Sequence, residues 1–363
     1  MAEPSVPEAR RRQAARSILT RNLKVRRGER VLVEGWTHSL PWSVALVREA
    51  RRLGAQTLLV YEDEAEYWDG VEHGLVEVLG TVGSHEWAAL SETDVYIHLW
   101  GPGDRQRFAE LPQKTQDRLL SWNEPWYKAA HKAGVRGARL EFGRVYPSLA
   151  RAYGADEATW MDQLIRGSVV DPTRLARMAA PLERALTRGK RLRIRHSNGT
   201  DLTLGLRHRP AVVNVGSVPK KPGPFGMLVT LPSGSVRVAL DERVADGTVV
   251  SNRTNYYDAG IATGGVLRFR KGKLVDHSFE TGAELFDAPY RTGGTGRDRP
   301  GMFGVGLNPG LHNTPQLEDV ERGALLVSVG GNRFSGGQNR SPFFGFVIVA
   351  DADVEVDGRP LRV

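Results

Sequence analysis

Residues 30–100 alternate short apolar runs with an amphipathic helical stretch, and this rhythm restricts the fold more than any other feature of the sequence. Three runs are typical of β-strands: RVLVEGW (30–36), QTLLVYED (56–63) and DVYIHLW (94–100). Between the first two lies LPWSVALVREARRLGA (40–55), in which apolar residues recur at helical spacing up to Gly54. Strands that alternate with helices in this way predict a parallel sheet with helices on its faces.

The character of the chain changes near residue 185. Residues 156–189 predict two helices separated by a turn at Asp171 and Pro172, and from residue 190 onward strand-like runs alternate with glycine-rich turns such as SNGTD, ADGTV and VDGRP. A length of 363 residues suits two domains. We therefore predict an N-terminal α/β domain with a parallel sheet over residues 1–185, and a mixed, mostly β C-terminal domain over residues 186–363.

Composition excludes several classes of function. The chain has no cysteine, so disulfides, thiolate metal sites and cysteine nucleophiles are ruled out. No apolar run reaches the roughly 18 residues that cross a bilayer, which predicts no membrane partner and a cytoplasmic location. The net charge is +8, but the positive charge is mostly arginine and is dispersed along the chain. Because nucleic-acid binding needs clustered basic residues with aromatic side chains nearby, we expect no nucleic-acid partner.

The usual catalytic patterns are missing. No two of the nine histidines stand two or four residues apart, so no helix or strand offers two imidazoles to one metal. GPGD (101–104) predicts a plain turn, because neither the dinucleotide pattern nor a Walker lysine accompanies it. The acid pairs at 241–242 and 318–319 lie in turn-rich stretches, and we expect their side chains to be solvated. The catalytic residues are left unassigned.

The segment GGQNRSPFFGFVIV (336–349) begins with residues suited to a binding site and ends with residues suited to a core. Polar side chains surround its apolar part in the sequence, and an arginine beside phenylalanine rings could bind a carboxylate while the rings hold an apolar body. In the alternative interpretation these residues only shape turns. The polar residues concerned are Asn308, Asn332, Arg333, Gln338, Asn339 and Arg340.

Eight segments, in the same order along the chain, resemble the thermophilic metallo-aminopeptidases of the aminopeptidase T and aminopeptidase S type. They are LKVRRGERVLVEGWTHSLPWSVALVREARRLGA, YPSLARAYGADEATWMDQLIRGSVVD, NGTDLTL, LPSGSV, ADGTVV, FRKGKLVD, GMFGVGLNP and SVGGNRFSGGQNRS. The resemblance implies an N-terminal α/β domain, a β-rich C-terminal domain with a two-metal site, and a homodimer.

The family's metal ligands do not carry over to this chain. The resemblance places its five ligand positions, in chain order, at Ser235, Met302, Leu326, Phe344 and Phe346. None of these side chains suits a divalent cation, which prefers carboxylate oxygen or imidazole nitrogen. A sister group, the dihydroxypyridine dioxygenases, binds one iron through a His and a His-x-Asp pair, and that pair is missing as well. The sequence therefore predicts a degenerate site without metal or other cofactor.

Three functions are compatible with these residues. The first is a metal-independent enzyme that acts on a small amino-acid-derived or aromatic molecule, in a pocket formed by the five positions together with Asn308, Arg333, Asn339 and Arg340. The second is a non-catalytic binding or scaffolding descendant of the family. The third is a peptidase with relocated ligands, for which Asp258, His277, His312 and Glu318 are the candidates.

Overall fold

The computed structural model describes residues 6–219 and 226–362. Its helices are α1 Glu8–Ser17, α2 Leu40–Arg52, α3 Glu64–Glu72, α4 Val76–Leu79, α5 Ser84–Ser91, α6 Arg105–Glu110, α7 Gln113–Leu119, α8 Asn123–Lys132, α9 Pro147–Tyr153, α10 Glu157–Ser168, α11 Pro172–Arg188 and α12 Ala283–Thr292. Its strands are β1 Arg30–Trp36, β2 Gln56–Glu62, β3 Val95–Leu99, β4 Arg136–Leu140, β5 Arg191–His196, β6 Thr200–Gly205, β7 Val212–Asn214, β8 Leu228–Leu231, β9 Ser235–Ala239, β10 Ala245–Val250, β11 Asn255–Tyr257, β12 Gly260–Ala262, β13 Val266–Arg270, β14 Lys273–Ser278, β15 Pro300–Gly306, β16 Ala324–Gly330, β17 Phe344–Ala350, β18 Asp353–Val356 and β19 Arg359–Pro360.

The first strands form a parallel sheet in the order β2-β1-β3-β4-β8, here named sheet I. Helix α2 links β1 to β2. Pro41 is its second residue, in the first turn, where a backbone N–H has no partner within the helix and its absence in proline costs no hydrogen bond. Its apolar side chains Trp42, Leu46 and Ala50 are buried at helical spacing. The α/β domain predicted from the alternating runs is confirmed, including the strands that begin at residues 30 and 56.

The strand at one edge of sheet I, β8, comes from a later part of the chain. The chain forms two compact units: Met1–Pro172 with Gly216–Pro232, and Thr173–Val215 with Ser233–Val363. The segment 173–215 therefore belongs to the second unit, and the chain then returns to place β8 beside β4. Residue 185, where we predict the domain boundary, lies inside α11.

In its described residues the second unit contains three antiparallel sheets, the smallest of which is the two-stranded sheet β11-β12. Sheet II has the order β14-β13-β10-β6-β5-β18-β19, and sheet III has the order β17-β16-β15-β9-β7. Every residue of β15 and β16 is buried, which is expected of central strands covered on both faces. The predicted mostly β C-terminal architecture is confirmed. No helix in residues 6–219 and 226–362 is long and apolar enough to cross a membrane.

Candidate functional site

The five positions that the family resemblance assigns to metal ligands all lie on one face of sheet III. Ser235 pairs with Gly306, and Met302 with Ala239, on the adjacent strands β9 and β15. Leu326 on β16 pairs with Gly304. Side chains two residues apart on a strand share a face, and directly paired residues do so as well. The face that carries Ser235 and Met302 is therefore the face that carries Leu326.

The remaining two positions extend this face onto β17. Phe346 pairs with Ser328, and Phe344 pairs with Gly330, two and four residues beyond Leu326 on β16. Met302, Leu326 and the two phenylalanines form one apolar cluster with Ala324 and Ile348. Ser235 is not a member of that cluster, because it lies at the opposite end of β9 from Ala239. The face thus has an apolar part and a separate serine.

These residues do not fit the metal centre that the family implies. Met302 and Leu326 are buried at 2% and 4% exposure, and they pack against other apolar side chains where carboxylate or imidazole ligands would be needed. Among the described residues, no three His, Cys, Asp or Glu side chains lie close enough to hold one ion. No step of a mechanism can be assigned to a metal at these positions.

The two phenylalanines of the apolar cluster belong to a row of four aromatic rings at its edge. The ring of Phe344 lies 5.8 Å from that of Phe346 in a stacked arrangement and 5.3 Å from that of Phe334, edge to face. The ring of Phe346 lies 5.6 Å from that of Tyr257 on β11. Phe334 is 63% exposed, and the two rings of β17 are half-buried. This aromatic row (Phe334, Phe344, Phe346 and Tyr257) therefore offers apolar surface that a planar molecule can reach.

A buried carboxyl group lies beside the aromatic row. Glu318 is 3% exposed, its Oε1 atom accepts the backbone N–H of Tyr256 at 3.2 Å, and its Oε2 atom has no hydrogen-bond partner in the described part of the chain. Burial, together with the charge of Asp319, raises the pKa of Glu318 to about 8. Burial and the Glu318 charge in turn raise the pKa of Tyr257 to about 12. At neutral pH, Glu318 is therefore a protonated acid that can donate a hydrogen bond.

An ion pair adjoins this acid on the same face of sheet III. Arg237, which pairs with Gly304 in the register, forms a salt bridge with Asp319. A Cβ atom on Gly304 would lie 3.2 Å from Cγ of Arg237 and 3.4 Å from Cβ of Leu326, so glycine at this position leaves room for the arginine side chain. The sequence-based expectation that the pair 318–319 is solvated is wrong. Turn-like composition identified the loop but not its burial.

Asp241 is also buried and Glu242 is half-buried, contrary to the sequence-based expectation that this pair is solvated. Asp241 is 7% exposed, and the side chain of Glu242 is 14% exposed. Arg209 binds Glu242 through two hydrogen bonds of 2.9 and 2.8 Å, and Asn332 Nδ2 and the backbone N–H of Gln338 donate to it at 3.0 Å each. Burial works to raise the pKa of Glu242, but these donors prevail and lower it to about 2.

The side-chain amides of Asn308 and Asn339 form hydrogen bonds with backbone carbonyl groups. Asn308 Nδ2 donates to the Ser233 carbonyl at 2.6 Å. Asn339 Nδ2 donates to the carbonyls of Gly296 and Gly330, both at 2.7 Å. The amides of Asn308 and Asn339 are therefore engaged in shaping loops, as the alternative interpretation holds.

The two arginines of this loop have a different environment. Arg333 and Arg340 are exposed, and neither guanidinium group has a hydrogen-bond or ion-pair partner among the residues that the structure describes. Arg333 precedes Phe334 of the aromatic row. Of the polar side chains named from the sequence, these two guanidinium groups and the exposed amide of Gln338 remain available to a ligand.

The four candidates for relocated metal ligands do not come together. His277 pairs with Asp287 at 2.7 Å, and His312 pairs with Glu321 at 3.0 Å. Asp258 accepts from Gln316, and Glu318 lies beside Tyr256. Among the described residues these four belong to no group of three potential metal ligands, so the structure gives no support to a peptidase with these relocated ligands.

The positions of Tyr257 and Asn255 beside β17 could not be predicted from the sequence. Asn255 is 1% exposed, and its Nδ2 atom donates to the Phe346 carbonyl, which ties β11 to β17. The run NYYD (255–258) does contain two adjacent tyrosines before a glycine-rich stretch, but it has no spacing that relates it to residue 346. The contact between them arises only from tertiary packing.

These features define a protein of two units, one with a parallel α/β sheet and one that is mostly antiparallel β. The chain belongs to the thermophilic metalloprotease (M29) family, whose sequence model matches residues 8–293. That match ends before four of the five ligand positions.

Two solved structures share the fold across almost the whole chain. AmpT from Thermus thermophilus has a TM-score of 0.71 at 19% identity, and 98% of each chain is covered. The 2,5-dihydroxypyridine dioxygenase from Pseudomonas putida KT2440 has a TM-score of 0.66 at 18% identity, covering 99% of this chain and 97% of the other. No curated protein matches the sequence.

Proposed function

We propose that this protein is a metal-independent enzyme of the M29 family that acts on a small amino-acid-derived or aromatic molecule. The observation that carries this proposal is the buried Glu318 carboxyl, which has one unpartnered oxygen among the described residues and lies beside the aromatic row. The rings hold the apolar body of the substrate, and Glu318 donates a hydrogen bond or a proton to one of its oxygen atoms. Arg333 supports this assignment, because a free guanidinium next to Phe334 can pair with a carboxylate.

The test is turnover in the presence of a chelator. We would incubate the full-length protein, treated with EDTA, with phenylalaninamide, benzamide and tyrosine, and follow binding by saturation-transfer NMR and products by mass spectrometry. We expect turnover of a bound probe to survive EDTA, and Glu318→Gln to abolish turnover while binding persists. Turnover that requires added zinc, cobalt or iron would contradict the proposal.

A second candidate is a binding protein without catalysis. The observation in its favour is that the amide groups of Asn308 and Asn339 are engaged with backbone, so few polar groups remain to surround a reacting atom. In that case the probes bind, Phe344→Ala weakens them, and Glu318→Gln has no effect beyond affinity. The same NMR experiment separates the two candidates.

We also propose a homodimer, which rests on the family resemblance, and a cytoplasmic location, which rests on the sequence having no apolar run long enough to cross a bilayer. Multi-angle light scattering at micromolar concentration should give about twice the chain mass of 40.0 kDa. A monomer would contradict the dimer without affecting the proposed chemistry of Glu318.

A further inference from the structure

One row of side chains across sheet I is mostly polar and only half-buried, although the covered faces of parallel sheets are normally apolar. The row consists of residues paired across all five strands: Val60, Glu34, His98, Arg139 and Thr230. Every member of this row is half-buried. Four polar side chains thus stand side by side near the carboxyl ends of β1, β3, β4 and β8.

The same face is apolar two residues earlier along the strands. Leu32, Tyr96 and Leu228 are buried there in one cluster with Trp126 of α8 and Leu90 of α5. The helices thus cover the face up to that level, and the change to charged residues occurs at the polar row. Side chains of this kind are not needed to hold the sheet together.

Glu34 and His98 form an oriented pair in this row. Oε1 of Glu34 lies 3.2 Å from Nδ1 of His98, and Oε2 accepts the hydroxyl of Tyr96 at 2.5 Å. Burial acts to raise the pKa of Glu34, but the bonds from His98 and Tyr96 prevail and lower it. The carboxylate therefore fixes the proton of His98 on Nδ1 and leaves Nε2 with a lone pair. No atom among the described residues hydrogen-bonds to that Nε2.

Arg139 supplies a cation next to this pair. Its Nε atom is buried without a partner among residues 6–219 and 226–362, and its Nη2 atom reaches only Thr230, at 3.5 Å. No carboxylate in the described part of the chain forms a salt bridge with it. The guanidinium carbon lies 5.7 Å from the ring of Trp100, which also contacts the ring of His98 at 5.7 Å, edge to face. A ligand at Arg139 and His98 would therefore meet an aromatic wall.

The position of this row in the sheet matches where ligands bind in open α/β sheets. Such ligands bind outside the carboxyl ends of the strands, at the point where the strand order reverses. In the order β2-β1-β3-β4-β8 that point lies between β1 and β3. Glu34 and His98 lie on those two strands, in their last three residues.

We propose that this edge of sheet I is a second ligand site, which binds a small carboxylate that carries a hydroxyl or ammonium group on the adjacent carbon. The carboxylate pairs with the guanidinium of Arg139, and the hydroxyl or ammonium hydrogen bonds to Nε2 of His98. This site uses none of the residues of the aromatic row and does not depend on the function proposed for Glu318.

The test uses the full-length protein with ¹³C-labelled histidine, in which His98→Asn identifies the His98 resonance. Mandelate and phenylglycine carry both groups, phenylacetate lacks the donor, and benzyl alcohol lacks the carboxylate. We expect mandelate or phenylglycine to shift the His98 signal saturably, phenylacetate to bind at least about tenfold more weakly, and benzyl alcohol to have no effect. The first two probes distinguish a hydroxy acid from an amino acid.

Variants at Arg139 complete the test. Arg139→Gln should weaken mandelate or phenylglycine at least about tenfold, Arg139→Lys should have an intermediate effect, and the exposed Arg48→Gln should have none. The lysine variant keeps the test valid if the glutamine variant does not fold. Equal binding of phenylacetate, unchanged binding in both Arg139 variants, or no saturable shift with any probe up to about 20 mM would overturn the proposal.

Discussion

Glu318 directs Oε1 to the backbone N–H of Tyr256 at 3.2 Å and leaves Oε2 without a partner in the described part of the chain. A buried carboxyl with a single donor is more stable as the neutral acid, because ionisation would place a charge where little compensates it. The pKa of about 8 expresses this preference. It also has a measurable effect on stability.

Stability should decrease as the pH rises from about 4.5 to about 8. A group whose pKa is higher in the folded state holds its proton there after the unfolded chain has lost it, so the free energy of unfolding falls across this window and levels off above it. The change from 4.5 to about 8 corresponds to at most about 5 kcal/mol. We expect Glu318→Gln to flatten this dependence and to be more stable than wild type above pH 8, as measured by urea unfolding. The pKa of Glu62 is also raised, to about 7, so this group contributes to the same pH dependence of stability. The variant Glu62→Gln therefore serves as the matched comparison that separates its contribution from that of Glu318.

Glu242 should give the opposite pH dependence. Its pKa is lowered to about 2, so its contribution is present above about 4.5 and is lost as the pH falls toward 2. Glu242→Gln should cost about 2–3 kcal/mol at pH 7, because Arg209 loses its partner and the donors from Asn332 and Gln338 lose their charged acceptor. The exposed pair of Arg268 and Asp276 is a control, since Asp276→Asn should cost less than about 1 kcal/mol. Equal costs for the two variants would refute this interpretation of Glu242.

The apolar cluster of sheet III should respond unequally to truncation. Leu326 is 4% exposed, and Leu326→Ala should reduce the free energy of unfolding by about 2–5 kcal/mol. Phe344→Ala should cost less, because that ring is half-buried. In binding assays with benzamide we expect the reverse order, with the larger loss for Phe344→Ala. A Phe344 that contributes as much stability as Leu326, and no affinity, would identify the ring as core.

Restoring two family ligands should not restore a metal site. Phe344→His with Phe346→Asp places two ligands on one face of β17, but Met302 and Leu326 still form the neighbouring walls. Structural and catalytic zinc sites need three or four protein ligands, so we expect at most weak cobalt binding by visible absorption. Phe344→Leu with Phe346→Leu controls for loss of the rings. Tight, stoichiometric cobalt in the first variant alone would show that ligands exist elsewhere on this face.

The fold could be predicted from local patterns, and the site only in part. The strand beginning at Arg30 and the helix around Leu46 follow from periodicity, because burial of one face imposes it. The burial of Glu318 could not be predicted, since the loop that holds it is polar and turn-like in composition. The oriented pair of Glu34 and His98 was also missed. Glu34 and His98 are 64 residues apart, and only strand pairing brings them together.

The late position of β8 in the sequence affects how the chain is synthesised. Helices and strands up to β4 leave the ribosome long before residues 228–231, and until then β4 is an edge strand with unpaired backbone groups from Gly137 to Leu140. During this interval the nascent first unit is incomplete and prone to pair with other chains. A fragment that stops at residue 185 would remain permanently in that state. For this protein, completion of the N-terminal unit therefore depends on translation well into the C-terminal half.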